Sequence, residues 1–436
     1  MITIGLDLGT TTISGAVYDS ERKEVLATRT LLNDGKIKAE HVWLDLQDPE
    51  IIWETCQTLL KEFLNQFPAI KGIGLSGQMH GIIYVDKDGQ AVSPLVTWQD
   101  GRGDRPYQDG ESYADYLTKQ SGYPMATGYG LTTHFYNLLN GLVPKEAVSF
   151  CTIADYIGMQ LTKQKKPMMH ASQAQGFGMF DMQKMDFDLK AVSEAGIDPY
   201  ILPEVAVGEK IIGMTVEGFA VWAAIGDNQA GFLGAAGMED SILVNIGTSS
   251  QLSARSETLV TVEGLDTRPF VRGEYLLVGA GLCGGSAYAL LRDLVLEVLE
   301  IFEADAEGEI YHQLEEAAKR VMDEAHHLQI DTRFRGSRNN PELRGAITQI
   351  GMDNLSIGHL AVGVMRGICE ELYGFYEIVP EALRASEAII GVGNALRHNA
   401  TLRTILAERF GKNFSFCKYE EEGAIGASKL AQHKPN

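Results

Sequence analysis

The amino-acid sequence predicts an α/β fold of two similarly built domains around a shared cleft, and three observations carry that expectation. At 436 residues with 45% hydrophobic content, the chain exceeds the size at which a single core usually divides. It opens with Ile2, Ile4, Leu6 and Leu8 alternating with Thr3, Gly5 and Asp7, a strand pattern, and a helical pattern follows from Pro49. The opening then recurs. Ile242-Leu243-Val244-Asn245-Ile246-Gly247-Thr248-Ser249-Ser250 parallels Ile4-Gly5-Leu6-Asp7-Leu8-Gly9-Thr10-Thr11-Thr12, with 238 positions between Asp7 and Asn245.

Taken in order, Ile13 to Tyr18 resumes an extended pattern after the polar tip at residues 9 to 12, so the chain begins with a β-hairpin. Pro49 to about Phe67 places Ile52, Leu59, Leu60, Phe63 and Leu64 on one helical side, and Ile70 to Leu75 returns as a strand. Asp104 to Tyr113 reads as a surface loop. Val221 to Ile225 is an apolar strand that delivers Asp227 to the cleft, with a helix beginning near Gln229. Residues 305 to 325 form a charged, solvated helix. Ser386 to Ile390 reads as a strand, Gly391 to Asn394 as a turn and Ala395 to Arg409 as a helix. A last helix from about Glu421 carries Gly423, Ala424, Gly426 and Ala427, small enough to admit a neighbouring backbone or a flat ring. The division into domains is expected at 1–220 and 221–436.

The formal charge of −21, with no basic stretch, argues against nucleic-acid or anionic-membrane partners. Five scattered cysteines without a Cys-x-x-Cys pair suit a reducing cytoplasm. The N-terminus lacks a secretory pattern, and no apolar run is long enough for a membrane span.

The motifs point to phosphoryl transfer, which requires positioned reactants, a held magnesium ion and a carboxylate to accept the hydroxyl proton. The sequence has neither a P-loop nor a protein-kinase signature. Gly9, Thr10 and Thr11 in the first turn, and Gly247 and Thr248 in the second, offer N–H groups and hydroxyls to phosphate oxygens. Asp7 is assigned to the metal. As a lone strand-end aspartate it would serve equally as a turn cap, but the second copy carries neutral Asn245, which suits one metal shared by two turns. Asp227 is the general base, its bland alternative being the N-cap of the following helix. Gln78, Met79 and His80, with Trp98, Asp100 and Arg102, bring amide, imidazole, indole, carboxylate and guanidinium groups to strand ends, a set suited to a polyol. Singly, His80 reads as a structural histidine and Arg102 as the ion-pair partner of Asp100.

With those residues assembled, the chain resembles the FGGY carbohydrate kinases, a branch of the actin, Hsp70 and hexokinase superfamily with two duplicated, ribonuclease H-like domains. Asp7-Leu8-Gly9-Thr10-Thr11 and Asn245-Ile246-Gly247-Thr248-Ser249 match the two phosphate motifs, and Gly391-Val392-Gly393-Asn394 matches the adenosine motif. The resemblance implies ATP and magnesium as cofactors, Gly393 and Asn394 at the nucleotide, Asp227 as base, and Asn228 with Gln78, Met79 and His80 at the sugar. Asp100 and Arg102 fall in the Trp-x-Asp-x-Arg motif. Val96 to Arg102, Ala126 to Gly130 and Ser76 to Gly81 look most like sedoheptulokinases, so sedoheptulose is the expected substrate, with D-xylulose second. Dimers are common in the family, and a homodimer is the corresponding expectation.

Two departures stand out: Thr133-His134-Phe135-Tyr136 replaces a Lys-x-x-Trp, and Val392 replaces a glycine of the adenosine turn. The chain is also shorter than most members, which implies trimmed loops. An actin- or Hsp70-like ATPase would need the phosphate turns without the polyol set, and a silent sugar-binding regulator would have lost Asp7 or Asp227. Both aspartates are present.

Overall fold

The computed structural model describes residues 1–239, 241–305, 308–337, 340, 342–385 and 388–432. Its first sheet has β1 (Ile2–Leu8), β2 (Thr12–Asp19), β3 (Glu24–Leu32), β4 (Ile70–Gly77), β5 (Ile211–Met214) and β6 (Ala220–Trp222), in the spatial order β5-β6-β4-β1-β2-β3. A short β7 (Ile225–Gly226) also pairs with β4. The second sheet has β8 (Ile242–Ile246), β9 (Ser250–Ser256), β10 (Asp266–Pro269), β11 (Tyr275–Gly281), β12 (Ala388–Val392) and β13 (Asn413–Phe416), in the order β10-β11-β9-β8-β12-β13.

The repeat is therefore structural. β1 runs antiparallel to β2 and parallel to β4, and β8 runs antiparallel to β9 and parallel to β12. Each repeated Gly-Thr turn joins the antiparallel pair at the centre of its sheet. Each sheet has its own buried core. α1 (Pro49–Gln66) closes one face of the first sheet, with Asp48 capping the Glu50 N–H and with Ile52, Cys56, Leu59, Leu60 and Phe63 buried. That spacing is the apolar stripe expected of a helix on a sheet. A lobe between β4 and β5 has an aromatic core that includes Tyr84, Phe135, Phe150 and Phe177, and it carries the polyol-type residues.

Several expectations change. The strand foreseen over Val221–Ile225 is two short strands interrupted at Ala223–Ala224, and both β6 and β7 pair with β4. The first sheet therefore runs past the division expected at residues 220/221. α2 (Asp227–Ala236) starts at Asp227 itself with Gly226 as its N-cap, so Asp227 is the first helical residue and not the cap. The strand foreseen at 386–390 is Ala388–Val392, and residues 386 and 387 lie outside the described residues. The single helix foreseen over 395–409 is broken into two, because Asn399 leaves helical geometry and its side chain accepts from the Leu402 N–H, the capping role asparagine favours. The remaining helices named below are α3 (Gly285–Ile301), α4 (Ile310–Val321), α5 (Ile357–Ile378), α6 (Asn394–His398), α7 (Ala400–Phe410) and α8 (Glu422–Leu430). α4 is the charged helix, and it buries only Ile310, Leu314, Glu315 and Ala318.

α8 is the last described helix and crosses to the first sheet, where Thr3 Oγ1 donates to the Ser428 carbonyl at 2.8 Å. It also crosses α2 so closely that a methyl group on Gly426 would stand 1.8 Å from the Ala230 carbonyl oxygen. The small residues of α8 thus admit a backbone, and not a flat ring, at this crossing. No helix among the described residues is long and apolar enough to cross a membrane.

Candidate active site

Asp7 and Asp227 meet in a cleft of about 490 Å3 that is also lined by Asn228, Asn245, Gly247, Gly393, Asn394, Arg397 and Gly423. The cleft lies between the sheets, as the repeat implies. A larger cavity of about 1350 Å3 sits between α5 and β11 and is lined by Arg333, Arg366 and Glu371. It touches neither Gly-Thr turn and neither cleft aspartate, so size does not identify the site.

Asp7 is carried by β1, whose parallel neighbour β4 sets it beside Ser76. Burial pushes its carboxyl up to about 7, the charge of Asp227 adds to the rise, and the Ser76 hydroxyl opposes it. Asp7 Oδ1 is buried and has no hydrogen-bond partner among the described residues. A desolvated carboxylate with an orphaned oxygen and a second anion nearby is a site for a cation. The lining carboxylates Asp7, Asp227, Glu420, Glu421 and Glu422 face one guanidinium, Arg397, so a polyphosphate could enter only with its charge screened. The residues present therefore fit a magnesium ion at Asp7.

Asp227 opens α2 within the cleft, reachable by water yet walled by protein on most sides. That desolvation lifts its carboxyl above the usual carboxylate range, against the Asn228 N–H and the Arg268 guanidinium, which hold it down. Its Oδ1 accepts from the Asn228 N–H at 2.6 Å, which leaves Oδ2 available to the cleft. Asn228 Oδ1 in turn accepts from Arg268 at 3.3 Å. Met79 packs under this turn, since a methyl group on Gly226 would meet its sulfur at 2.6 Å.

The two phosphate-type turns are held by different contacts. Thr10 Oγ1 accepts from Trp98 Nε1 at 3.0 Å and donates weakly to Gln78 Oε1 at 3.5 Å. In the second turn, the first N–H groups of α3 and of the residue before it tie down the carbonyls: Gly285 donates to Gly247 at 2.7 Å and Gly284 to Thr248 at 3.0 Å. Gly393 has φ 96°, and a side chain there would stand 2.5 Å from Asn245 Oδ1. Only glycine fits this contact between the β12 turn and β8. Asn394 follows at the start of α6 and accepts from Arg397.

His80 holds a left-handed backbone (φ 73°) and stacks on Tyr129 at 4.9 Å. Its Nδ1 lies 2.7 Å from the Gly176 carbonyl. A carbonyl only accepts, so Nδ1 carries a proton. Trp98 is about half exposed. Asp100 and Arg102 are covered: Arg102 Nε and Nη2 reach the two Asp100 oxygens at 2.7 and 3.1 Å, and Asp45 N–H takes Oδ2 at 3.1 Å. The pair is buried and does not line the Asp7–Asp227 cleft, and neither do Gln78, Met79, His80 and Trp98. Thr133 and His134, which stand where Lys-x-x-Trp was absent, are core residues. His134 bonds to the Tyr84 hydroxyl at 2.8 Å, and burial lowers it to about 4. Asn33, Gln47 and Arg268 hydrogen-bond to Gly9, Thr10 and Asn228 and carry no local sequence signal.

A family model described as FGGY family of carbohydrate kinases, N-terminal domain, matches residues 2–240, and its C-terminal counterpart matches residues 242–434. A sedoheptulokinase of Homo sapiens is 28% identical, with 98% of this chain and 96% of the relative covered. A xylulose kinase of Staphylococcus xylosus is 25% identical over 98% of this chain and 90% of its own length. Among solved structures, a ligand-bound xylulose kinase from Lactobacillus acidophilus matches with TM-score 0.82 at 21% identity, covering 99% of this chain and 89% of that one. A Plasmodium falciparum glycerol kinase with ADP matches with TM-score 0.80 at 17% identity over 99% and 88%.

Proposed function

The chain belongs to the FGGY family of carbohydrate kinases, and on that premise we propose that it transfers the γ-phosphoryl group of ATP to the terminal primary hydroxyl of sedoheptulose, giving the 7-phosphate. The reading rests on one observation above the others: Asp227 Oδ2 is available in a cleft that also gathers Asp7, Gly247 and Gly393. Sedoheptulose is favoured over D-xylulose because the relatives named sedoheptulokinase, from Homo sapiens and Mus musculus, are each 28% identical to this chain, whereas the xylulose kinases of Staphylococcus xylosus and Klebsiella pneumoniae are each 25% identical.

In this mechanism Gln78, Met79 and His80 hold the sugar, with the Trp98 indole offering a flat face. Asp227 Oδ2 takes the proton of the attacking hydroxyl, while Oδ1 stays on the Asn228 N–H and keeps the carboxylate oriented. The raised proton affinity of Asp227 makes it a better proton acceptor than an ordinary carboxylate. Asp7 would hold magnesium, which when bound screens the phosphate charge. The N–H groups and hydroxyls of Gly9, Thr10, Thr11, Gly247 and Thr248 cradle the phosphates, and Gly393 and Asn394 border the adenosine. Asp100 and Arg102 support the sugar side by fixing the Trp98 loop. Closure of the two domains excludes water and limits futile ATP hydrolysis. The cytoplasmic setting and a homodimer belong to the same proposal.

The test is ADP release coupled to NADH oxidation, with magnesium and ATP against sedoheptulose, D-xylulose, D-ribulose, L-ribulose, L-fuculose, gluconate and glycerol. Turnover with sedoheptulose far above the others supports the reading. Preference for D-xylulose replaces the substrate and keeps the mechanism, and a flat panel with ATP still bound overturns the substrate class.

A further inference from the structure

The first phosphate turn has a back side that no glycine-turn motif describes. All three of its carbonyls are held from behind. Asn33 Nδ2 donates to Gly9 at 2.9 Å, Gln47 Nε2 donates to Thr10 at 2.8 Å, and the Asn33 backbone N–H donates to Thr11 at 2.9 Å. In a planar trans peptide the N–H points opposite to the C=O, so tying these carbonyls back turns the following N–H groups toward the cleft. The second turn receives the same service from the backbone N–H groups at the start of α3. One half of the duplicated protein thus uses a helix N-terminus where the other uses two side-chain amides.

The same Gln47 reaches the sugar side. Its Oε1 accepts from Gln78 Nε2 at 3.0 Å and faces Asn33 Nδ2 at 3.4 Å. Gln47 and Gln78 are only 2% and 4% exposed, so water does not compete for these bonds. Gln47 ends the short strand Leu46–Gln47, which pairs with Leu95–Val96 just ahead of Trp98. Trp98 closes the circuit through its bond to Thr10 Oγ1.

We propose that Gln47 is a positioning residue that couples occupancy of the sugar pocket to the geometry of the first phosphate turn. A sugar hydroxyl that takes up Gln78 shifts or firms its amide. Gln47, bonded to Gln78 through Oε1 and to the Thr10 carbonyl through Nε2, passes that constraint to the N–H groups that receive phosphate. The inference rests on Gln78 contacting the sugar and Gly9–Thr11 contacting phosphate.

The test is a binding cycle on the full-length protein with the sugar that the wild type turns over. The dissociation constant of magnesium with a non-hydrolysable ATP analogue is measured with and without saturating sugar, for wild type, Gln47→Met and Gln47→Glu. Methionine keeps the shape and loses both bonds. Glutamate keeps an acceptor for Gln78 and loses the donor to Thr10, and it serves if the methionine variant fails to fold. The wild type should bind the analogue at least about fivefold more tightly with sugar present, the lower end of ordinary coupling, and reciprocity requires the analogue to tighten the sugar equally. In both variants the factor should fall toward one while sugar affinity alone stays within about threefold, and kcat should drop by about 10²-fold, as for a small misplacement of reacting groups. A wild type without coupling overturns the inference, as does a variant that folds and keeps the wild-type factor. Failure of the underlying reading looks different: the wild type then turns over no sugar of the panel.

Discussion

Gly423, the second residue of α8, sits against the carboxylate assigned to the metal. A methyl group there would stand 2.4 Å from Asp7 Oδ2 and 2.7 Å from its Cγ. Ordinary carbon contacts begin near 3.5 Å, so Gly423→Ala forces the carboxylate or the helix end to move by about 1 Å. The backbone itself accepts alanine, since Gly423 is not among the residues with positive φ. In a helix alanine is more favourable than glycine by up to about 1 kcal/mol, which offsets part of the crowding. Stability and activity should therefore separate.

The expected result is a fall in kcat of about 10²-fold, from a displacement of about 1 Å at a group that must be placed accurately. A rise in the magnesium concentration needed for half-maximal rate should accompany it, with a melting temperature within a few degrees of wild type. The assay is coupled ADP release over a magnesium titration, beside thermal unfolding. Gly374→Ala is the matched control, because a methyl group there meets nothing within 4 Å and the residue lies on α5 away from the cleft. Turnover of Gly423→Ala within about threefold of wild type at every magnesium concentration would refute the assignment of the metal to Asp7.

Asp227→Asn removes the proton acceptor and should lower kcat by about 10²- to 10⁴-fold while leaving thermal unfolding nearly unchanged; a variant that still turns over sugar takes Asp227 out of the role. Asp100→Ala leaves Arg102 buried without its partner, at a cost of about 3–5 kcal/mol, so the urea midpoint should fall sharply; an unchanged midpoint would return Arg102 to the cleft. Burial also raises the Asp155 carboxyl to about 7, well above the range of an unfolded chain. Folding then binds a proton, so stability should decline as pH rises from about 4 to about 7 and level off above it. Asp155→Asn should make that decline shallower without abolishing it, because Asp7 and Glu371 are also raised to about 7; urea midpoints from pH 5 to pH 8 that fall as steeply as in wild type would contradict it.

What could be read in advance was local and periodic. Alternating apolar residues, a helix opening at a proline and a Gly-Thr turn repeated at half the chain length each depend on near neighbours, and all three survive in the folded protein. Asp7 and Asp227 were legible because each stands at or just beyond the C-terminal end of a strand, beside a glycine. Gln47 and Asn33 were not, because their partners are turn carbonyls, and a glutamine 37 positions from Thr10 carries no mark of where its amide will donate. Asp100 and Arg102 show a second kind of limit. Their spacing announces an ion pair, but only packing against Asn137 and Tyr136 decides that the pair is buried. Asn399 shows a third, since the apolar pattern runs through it although its side chain caps the next helix.

α8 carries this furthest. Its small residues left two occupants open, a backbone or a flat ring, and the choice depended on a helix 196 positions earlier in the chain, as Lys429 reaching the Leu233 carbonyl shows. That crossing joins the α2 helix that carries Asp227 to the α8 helix whose Gly423 shapes the space around Asp7. Gly426→Ala would force the two helices apart, since its methyl group would stand 1.8 Å from the Ala230 carbonyl oxygen, and would move Asp227 relative to Asp7 without touching either. Loss of turnover in that variant, with sugar and nucleotide each still bound alone, would place the distance between the two carboxylates under the control of this crossing; wild-type turnover in a folded protein would show that the cleft tolerates the shift.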